Sequence, residues 1–367
     1  MNRPAPPASD AAEPAGAPLR PKGPRSRPVW LGPLIALIVL VGAIVAVELI
    51  QRGQWPPAFL RPANLINILH NWSFVGFIAL GMTFVIILGG IDLSVGSLVA
   101  FAGGLGIVVM NAVIRGTGAE TAGVLAAFAA IVAAGAAAGL LNGVLIAKGR
   151  VAPFIATLGG LAAYRSLALA MIEGGEFRSE SAAAFARLGT EGIPIGFHVF
   201  GREVLYSAYG QPLVLPWPVV VFAVAACLAH VLLDRTRYGR YVYAIGCNER
   251  AAVYSAVRVG RVKIATYGLL GFLTGVAALM NSSRMNSVSS GQTGLMWELD
   301  AIAAVVIGGT QMSGGAGTIF GTVIGLLMLG VIGNMLNLLQ VSPYLQGLVK
   351  GLIIVAAVLL QRSRRRP

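Results

Sequence analysis

The sequence predicts an all-α, polytopic integral membrane protein: about ten transmembrane helices in two related halves, with both termini cytoplasmic. Composition is the first reason. Hydrophobic residues make up 56% of the chain, charged residues 11%, and the mean hydropathy is +0.79, whereas a soluble domain carries roughly a quarter charged residues. The second reason is room: 367 residues accommodate ten crossings at about 20 residues each. The third is an internal repeat. Gly308-Gly-Thr-Gln-Met-Ser313-Gly-Gly315 repeats the shape of Gly89-Gly-Ile-Asp-Leu-Ser94-Val-Gly96 at an offset of 219 positions, and each copy lies between two apolar runs. Paired broken helices commonly flank a solute route.

Taken in order, residues 1–28 are rich in Pro, Ala and Arg and are expected to form a disordered basic tail. Val29–Ile50 is longer than a signal-peptide core and lacks a small-residue cleavage site, so it is retained as the first span. Apolar stretches then follow at Trp72–Leu88, Ser94–Ala112, Gly123–Ala147, Pro153–Ile172 and Leu213–Leu233. The last four are Ile264–Asn281, Leu299–Ile307, Thr318–Leu339 and Tyr344–Gln361, so the membrane domain covers 29–362 and a basic tail covers 363–367. The eighth stretch is anomalous. Its nine residues make a helix of only about 13 Å, so it is expected to extend back towards Gln292 or to be partly re-entrant. Irregular backbone there requires enclosure by protein or a wet cavity.

The net charge of +13 invites a nucleic-acid reading, but its placement argues against one. Arg20, Lys22, Arg25 and Arg27 precede the first span, and Lys148 and Arg150 flank the fourth. Further basic residues sit in the 234–263 loop and at Arg362–Arg366. Basic residues tethered beside apolar spans are topology signals, and they place all these segments inside, with the bilayer as the surrounding partner. The 173–212 loop then falls outside, with five acids against three arginines. Cys227 and Cys247 suggest neither a disulfide framework nor a metal site.

Within the 234–263 loop, Asn248-Glu-Arg-Ala-Ala-Val-Tyr-Ser-Ala-Val-Arg258 reads as a short helix. Asn248 suits the N-cap, Glu249 the positive first turn and Arg258 the end, with Gly260 as terminator. Ala252, Val253, Ala256 and Val257 fall on one small apolar face. Such a helix is either a grip for a docking partner or a basic loop resting on lipid headgroups.

Tyr243-Ala-Ile-Gly-Cys-Asn-Glu-Arg-Ala-Ala252 resembles the cytoplasmic loop of permease subunits from the ribose/xylose branch of ABC monosaccharide importers. Gly81-Met-Thr-Phe-Val-Ile-Ile87 with Gly90-Ile-Asp-Leu-Ser-Val-Gly-Ser97, Pro153-Phe-Ile-Ala-Thr-Leu-Gly159 and Glu298-Leu-Asp-Ala-Ile-Ala-Ala-Val-Val-Ile-Gly-Gly309 are similar to that family too. The resemblance spans about residues 60–361. It implies a homodimer of permease chains, a cytoplasmic ATPase that docks on this loop and binds ATP and Mg, and a periplasmic sugar-binding protein. On that footing Asn248, Glu249, Arg250, Ala251, Ala252, Ser255 and Arg258 are the docking residues. Two departures stand out: Cys247 replaces the second Gly of a usual Gly-Gly-Asn, and Tyr254-Ser-Ala-Val257 replaces Leu-Ser-Gly-Ile. Ala256 is expected not to reach backbone angles open to Gly.

For the translocation pathway the candidates are Asp92, Ser94, Asn142, Glu298, Asp300 and Ser313. Asp92 lies near the cytoplasmic edge by residue count; either it caps the third span, as Ser94 also could, or it sits at an inner gate. Its repeat partner is Gln311, so charge is not required in both copies. Glu298 and Asp300 stand at the outer start of the eighth segment, where acids favour a helix N-terminus or face an outer vestibule. Two positions apart, they point about 200° away from each other. Asn71, Asn111, Asn142, Asn281, Asn334 and Asn337 suit interhelical hydrogen bonds. Arg165, mid-depth in the fifth span, needs a partner or water, while His70, His198 and His230 have no assigned role.

The lysines, at 22, 148, 263 and 350, are followed by Gly, Gly, Ile and Gly, so no GxxxxGK[ST] phosphate loop is present. No cofactor is expected in this chain and no enzymatic activity: energy must come from a partner. The expected function is translocation of a monosaccharide, pentose or hexose, across the bacterial inner membrane by alternating access. The alternative is an ion-coupled secondary transporter of a small polar solute, which the parallel repeat and the scarcity of deep acids argue against.

Overall fold

A computed structural model describes residues 30–52, 57–180, 182–199, 202–204, 212–342, 345–348 and 351–352. The N-terminal tail, the C-terminal tail and most of the expected tenth span lie outside them. Among the described residues, eight helices are long and apolar enough to cross a membrane.

They are α1 (Leu31–Arg52), α2 (Pro62–Ile87), α3 (Val95–Thr117), α4 (Glu120–Ala147), α5 (Pro153–Ala170), α7 (Trp217–Arg235), α10 (Val259–Met285) and α12 (Ile319–Leu338). Shorter helices are α6 (Ala182–Thr190), α8 (Arg237–Cys247), α9 (Glu249–Tyr254) and α11 (Trp297–Ile307). Pro62, Pro153 and Pro218 stand in the first turns of their helices, where a missing N–H costs nothing.

The arrangement is concentric. The apolar window of α2 is 89% buried, that of α1 only 6%, so α2 is the central post and α1 lies outside it. Around α2 pack α7, α10, α11 and α12, and α10 in turn packs chiefly on α4. The last contact depends on glycine. Gly135, Gly139 and Gly143 recur every fourth residue along α4; the first two face Gly271 and Gly275 of α10, and Gly143 faces Ile264. A Cβ on Gly139 would lie 2.2 Å from the Tyr267 carbonyl oxygen, and one on Gly135 2.5 Å from that of Gly271. Small residues let the two backbones touch, the usual means of packing helices in lipid.

Three two-stranded antiparallel ribbons occupy one end of the bundle. The strands are β1 (Glu176–Arg178), β2 (Gly192–Pro194), β3 (Phe197–Val199), β4 (Arg202–Val204), β5 (Val214–Pro216) and β6 (Ser287–Ser289). β1 pairs with β6, β2 with β5 and β3 with β4. The β1–β6 pair joins the chain just after α5 to the chain just after α10. Asn111 on α3 clamps it, donating to the Arg178 carbonyl at 2.9 Å and accepting from the Glu180 amide at 3.1 Å. Glu176 accepts from Ser287 Oγ at 2.8 Å. The Ser287 hydrogen bond and Arg178 hold the Glu176 carboxyl below the usual carboxylate range, and the Arg115 hydrogen bond does the same for Glu180. Here too α6 covers α2 and α10: the Gly189 carbonyl lies 3.0 Å from His70 Nε2, and Ser283 Oγ donates to the Phe185 carbonyl.

The eighth segment has the irregular character expected of it. α11 begins at Trp297 and does not extend back to Gln292. The stretch before it is β6 followed by turns, with Gly294 and Met296 at positive φ. Half of a span is helix and the rest is unwound.

Candidate functional site

The two repeat breaks are built alike, but one residue out of the register read from sequence. α2 ends with the Gly89 amide donating to the Ile86 carbonyl and that of Gly90 to Val85, both at 2.9 Å. α11 ends with Gly309 donating to Val306 at 2.9 Å and Thr310 to Val305 at 3.2 Å. Gly89 and Gly309 hold φ of +87° and +95°, the left-handed terminus that glycine provides. The matched pair is therefore Gly89 and Gly309, not Gly89 and Gly308. Asp92 accordingly corresponds to Met312 instead of Gln311. The second break is also longer, because α12 starts only at Ile319 whereas α3 starts at Val95.

These breaks touch. The Gly315 amide donates to the Ile87 carbonyl at 2.8 Å, satisfying one of the acceptors a helix end leaves open. Helix α8 seals the joint. A Cβ on Gly246 would fall 1.8 Å from the Ile87 oxygen and 2.6 Å from the Gly315 nitrogen. Tyr243 Oη donates to the Gly317 carbonyl at 2.7 Å, and Cys247 Sγ lies 3.6 Å from the Gly315 carbonyl oxygen. Burial, with Asp234 nearby, pushes the Tyr243 phenol up to about 12, which keeps it a donor.

Helix α9 follows directly. Asn248 is its N-cap, Oδ1 accepting from the Ala251 amide at 3.0 Å. Glu249 pairs with Lys263 at 2.7 Å, tying α9 to α10. The helix is shorter than the sequence suggested. It ends at Tyr254, because Ala256 turns left-handed with φ of +59°, and the Val257 amide returns to the Ala252 carbonyl at 3.1 Å. Ala256 thus occupies the conformation thought closed to it, and Gly260 lies in the first turn of α10 instead of ending α9.

The expected apolar face is divided as well. Glu249, Arg250, Ala251, Ser255 and Arg258 are exposed, but Ala252 is only 4% exposed and points into the bundle. The outward apolar groups are Val253 and Tyr254, the latter 90% exposed. Sequence reasoning passed over Tyr254, although an aromatic ring in a charged loop is a signal.

Among the pathway candidates, Asp92, Ser94 and Asn142 come together in one buried cluster. Asp92 Oδ1 accepts from the Ser94 amide at 2.8 Å and from Ser94 Oγ at 2.6 Å. Asn142 Nδ2 donates to Ser94 Oγ at 3.0 Å and to Asp92 Oδ2 at 3.3 Å. All three side chains are buried. These bonds fix the turn that leads into α3, whose N-cap position is Ser94. Ser313 is exposed at the end of the bundle that carries the breaks.

Glu298 lies against α3. A Cβ on Gly96 would lie 2.2 Å from a Glu298 carboxylate oxygen and 2.3 Å from the Gly294 carbonyl oxygen. The half-buried carboxylate therefore sits against the first turn of α3, where the helix dipole favours it. Asp300 is also half-buried. Arg165 is held by backbone, its Nη1 donating to the carbonyls of Ser290, Gly291 and Thr293 at 2.8, 3.2 and 3.1 Å, with the Glu298 carboxylate near enough to interact with its charge. A fixed guanidinium thus supplies donors to carbonyls that the unwound stretch leaves without helical partners. Asn334 pairs with Asn64 across α12 and α2 at 2.8 and 3.0 Å, an interhelical amide pair of the kind expected.

The family model described as branched-chain amino acid transport system / permease component matches residues 64–358. The ribose import permease protein RbsC of Bacillus subtilis (strain 168) is 41% identical over 334 residues, covering 91% of this chain and 93% of that protein. The L-arabinose ABC transporter permease protein AraH of Azospirillum brasilense is 34% identical, covering 84% and 83%. The xylose transport system permease protein XylH of Escherichia coli (strain K12) is 30% identical, covering 90% and 93%. No solved structure matches the chain.

Proposed function

This chain belongs to the branched-chain amino acid transport system / permease component family, and from that premise we propose that it is the membrane-spanning subunit of an ABC importer of a monosaccharide. Relatives named for ribose, arabinose and xylose align over most of their length and of this chain. The chain is a multi-pass transport component and not an enzyme. ATP and Mg reside on a separate ATPase, a binding protein delivers the sugar, and a second copy of the chain completes the route. The end bearing the breaks faces the cytoplasm of a bacterial inner membrane, and the ribbon end faces outward.

The observation that carries this reading is the seat of Gly246. Exposed α9 offers Arg250, Val253 and Tyr254 to a partner. One residue before its N-cap, Cys247 and then Gly246 rest on the bond between Ile87 and Gly315. A push on α9 therefore reaches both breaks without an intermediary. Nucleotide-driven movement of the ATPase displaces α8 and α9 together, and the joint between the halves opens or closes. The polar groups beside the breaks are engaged in fixing broken helices.

Proteoliposomes holding the permease, its ATPase and its binding protein should take up labelled ribose, xylose or arabinose only with ATP. Uptake driven by a proton gradient in vesicles holding this chain alone would overturn the reading in favour of a secondary carrier.

A further inference from the structure

A cavity of about 270 Å³ lies between α2 and α12 towards the ribbon end of the bundle. Trp72 and four amide side chains, Asn71, Asn334, Asn337 and Gln346, line it, and no charged side chain does. Asn71 and Asn337 are exposed and Asn334 and Gln346 half-buried, so the cavity opens to the surface and presents its amides to an incoming polar molecule.

The hydrogen bonds show what is left for that occupant. Asn71 Oδ1 accepts from Arg284 at 2.7 Å while its Nδ2 donates to the Asn67 carbonyl at 2.8 Å. Asn334 is committed to Asn64. Gln346 Nε2 donates to Asn337 Oδ1 at 2.9 Å and to the Val341 carbonyl at 3.2 Å. Among the described residues this leaves Asn337 Nδ2 as a donor and Gln346 Oε1 as an acceptor, side by side. A hydroxyl group is both donor and acceptor, so a pair of neighbouring hydroxyls matches that pair of groups.

The third element is the indole. Gly330 and Gly333 allow Trp72 to approach the α12 backbone, since a Cβ on Gly330 would meet the ring at 3.1 Å and one on Gly333 at 3.5 Å. An indole anchored in this way presents a rigid, polarisable wall to the C–H groups of a sugar ring. The lining itself offers no cation to pair with a phosphate or carboxylate. The volume of about 270 Å³ is enough for a single sugar ring.

We propose that this cavity is a binding site for one neutral monosaccharide, held by Trp72, Asn337 and Gln346. The site belongs to the permease itself and is distinct from any site on a delivery protein. It rests on the importer reading only for the direction from which the sugar arrives, the outer side.

The test uses the full-length chain purified into lipid nanodiscs, without ATPase or binding protein, titrated with ribose, xylose and arabinose and followed by calorimetry. Saturable binding is expected. Replacing both Asn337→Ala and Gln346→Ala should weaken it about tenfold, the equivalent of one to two neutral hydrogen bonds. Ribose 5-phosphate should bind no better than ribose. Should the double variant unfold, Gly333→Leu fills the cavity from the opposite wall and should abolish binding. No saturable binding, unchanged binding in these variants, or preference for the phosphate would overturn the site. ATP-driven uptake measured in parallel separates the two readings: binding without coupled uptake sinks the importer, and coupled uptake without binding sinks the cavity.

Discussion

The amide of Gly315 reaches the carbonyl of Ile87 at 2.8 Å, so the end of α2 is completed by a residue from the opposite half of the chain. Each repeat break is thus part of the other's structure. Gly246 leaves no space over that bond.

Gly246→Ala places a methyl on the joint. Losing that hydrogen bond costs about 1 kcal/mol, and ATP-driven uptake in proteoliposomes should fall several-fold while the ATPase still co-purifies. Full uptake would show that α8 does not act through the joint.

Docking should depend on the outward groups of α9. Tyr254→Ala and Arg250→Glu should each reduce capture of the ATPase, whereas Ala252→Trp should lower stability, because Ala252 is buried. Undiminished capture by both outward variants would move the interface elsewhere.

Ala256 is held at φ of +59°, a conformation that costs a residue with a Cβ about 1 kcal/mol more than glycine. Ala256→Gly should therefore slow hydrogen exchange in 249–257, read by mass spectrometry. Faster exchange would mean that the flexibility glycine adds to the unfolded segment outweighs the relief of strain.

Gly139→Val should separate α4 from α10, since any Cβ there meets the Tyr267 carbonyl. Overpacking of this kind costs about 1–3 kcal/mol. The melting temperature in detergent should drop, whereas Gly116→Ala, with open space around it, should leave it unchanged.

Acid should loosen the β1–β6 ribbon. Glu176 and Glu180 titrate below the ordinary carboxylate value when folded. Their contribution is therefore complete above that value and disappears as pH falls through the lowered one. Hydrogen exchange at 176–180 should accelerate below about pH 4.5, and Glu176→Gln with Glu180→Gln should remove most of that dependence. An unchanged pH profile in the double variant would exclude these carboxylates as its source.

Much of this was legible in the residues. Apolar length located eight of the ten expected spans, Asn248 announced its cap, and the glycine breaks marked the joint. Three features were not. The repeat register slipped because Gly308 and Gly309 both fit the pattern, and only backbone angle shows which turns left-handed. Arg165 was expected to need a partner or water, and its hydrogen bonds go to main-chain carbonyls, which no side-chain alphabet records. Ala256 was judged by intrinsic preference, and the return of Val257 to Ala252 overrides that preference by enclosing the turn.

The burial of α2 limits how the protein can change shape. A helix walled in by α7, α10, α11 and α12 has nowhere to tilt, so it behaves as a stator. The surrounding helices must roll about it, and force arriving at Ile87 is resisted there and passed to whatever can yield. The longer second break, with its glycines at 314 and 315, is the compliant side of the bearing.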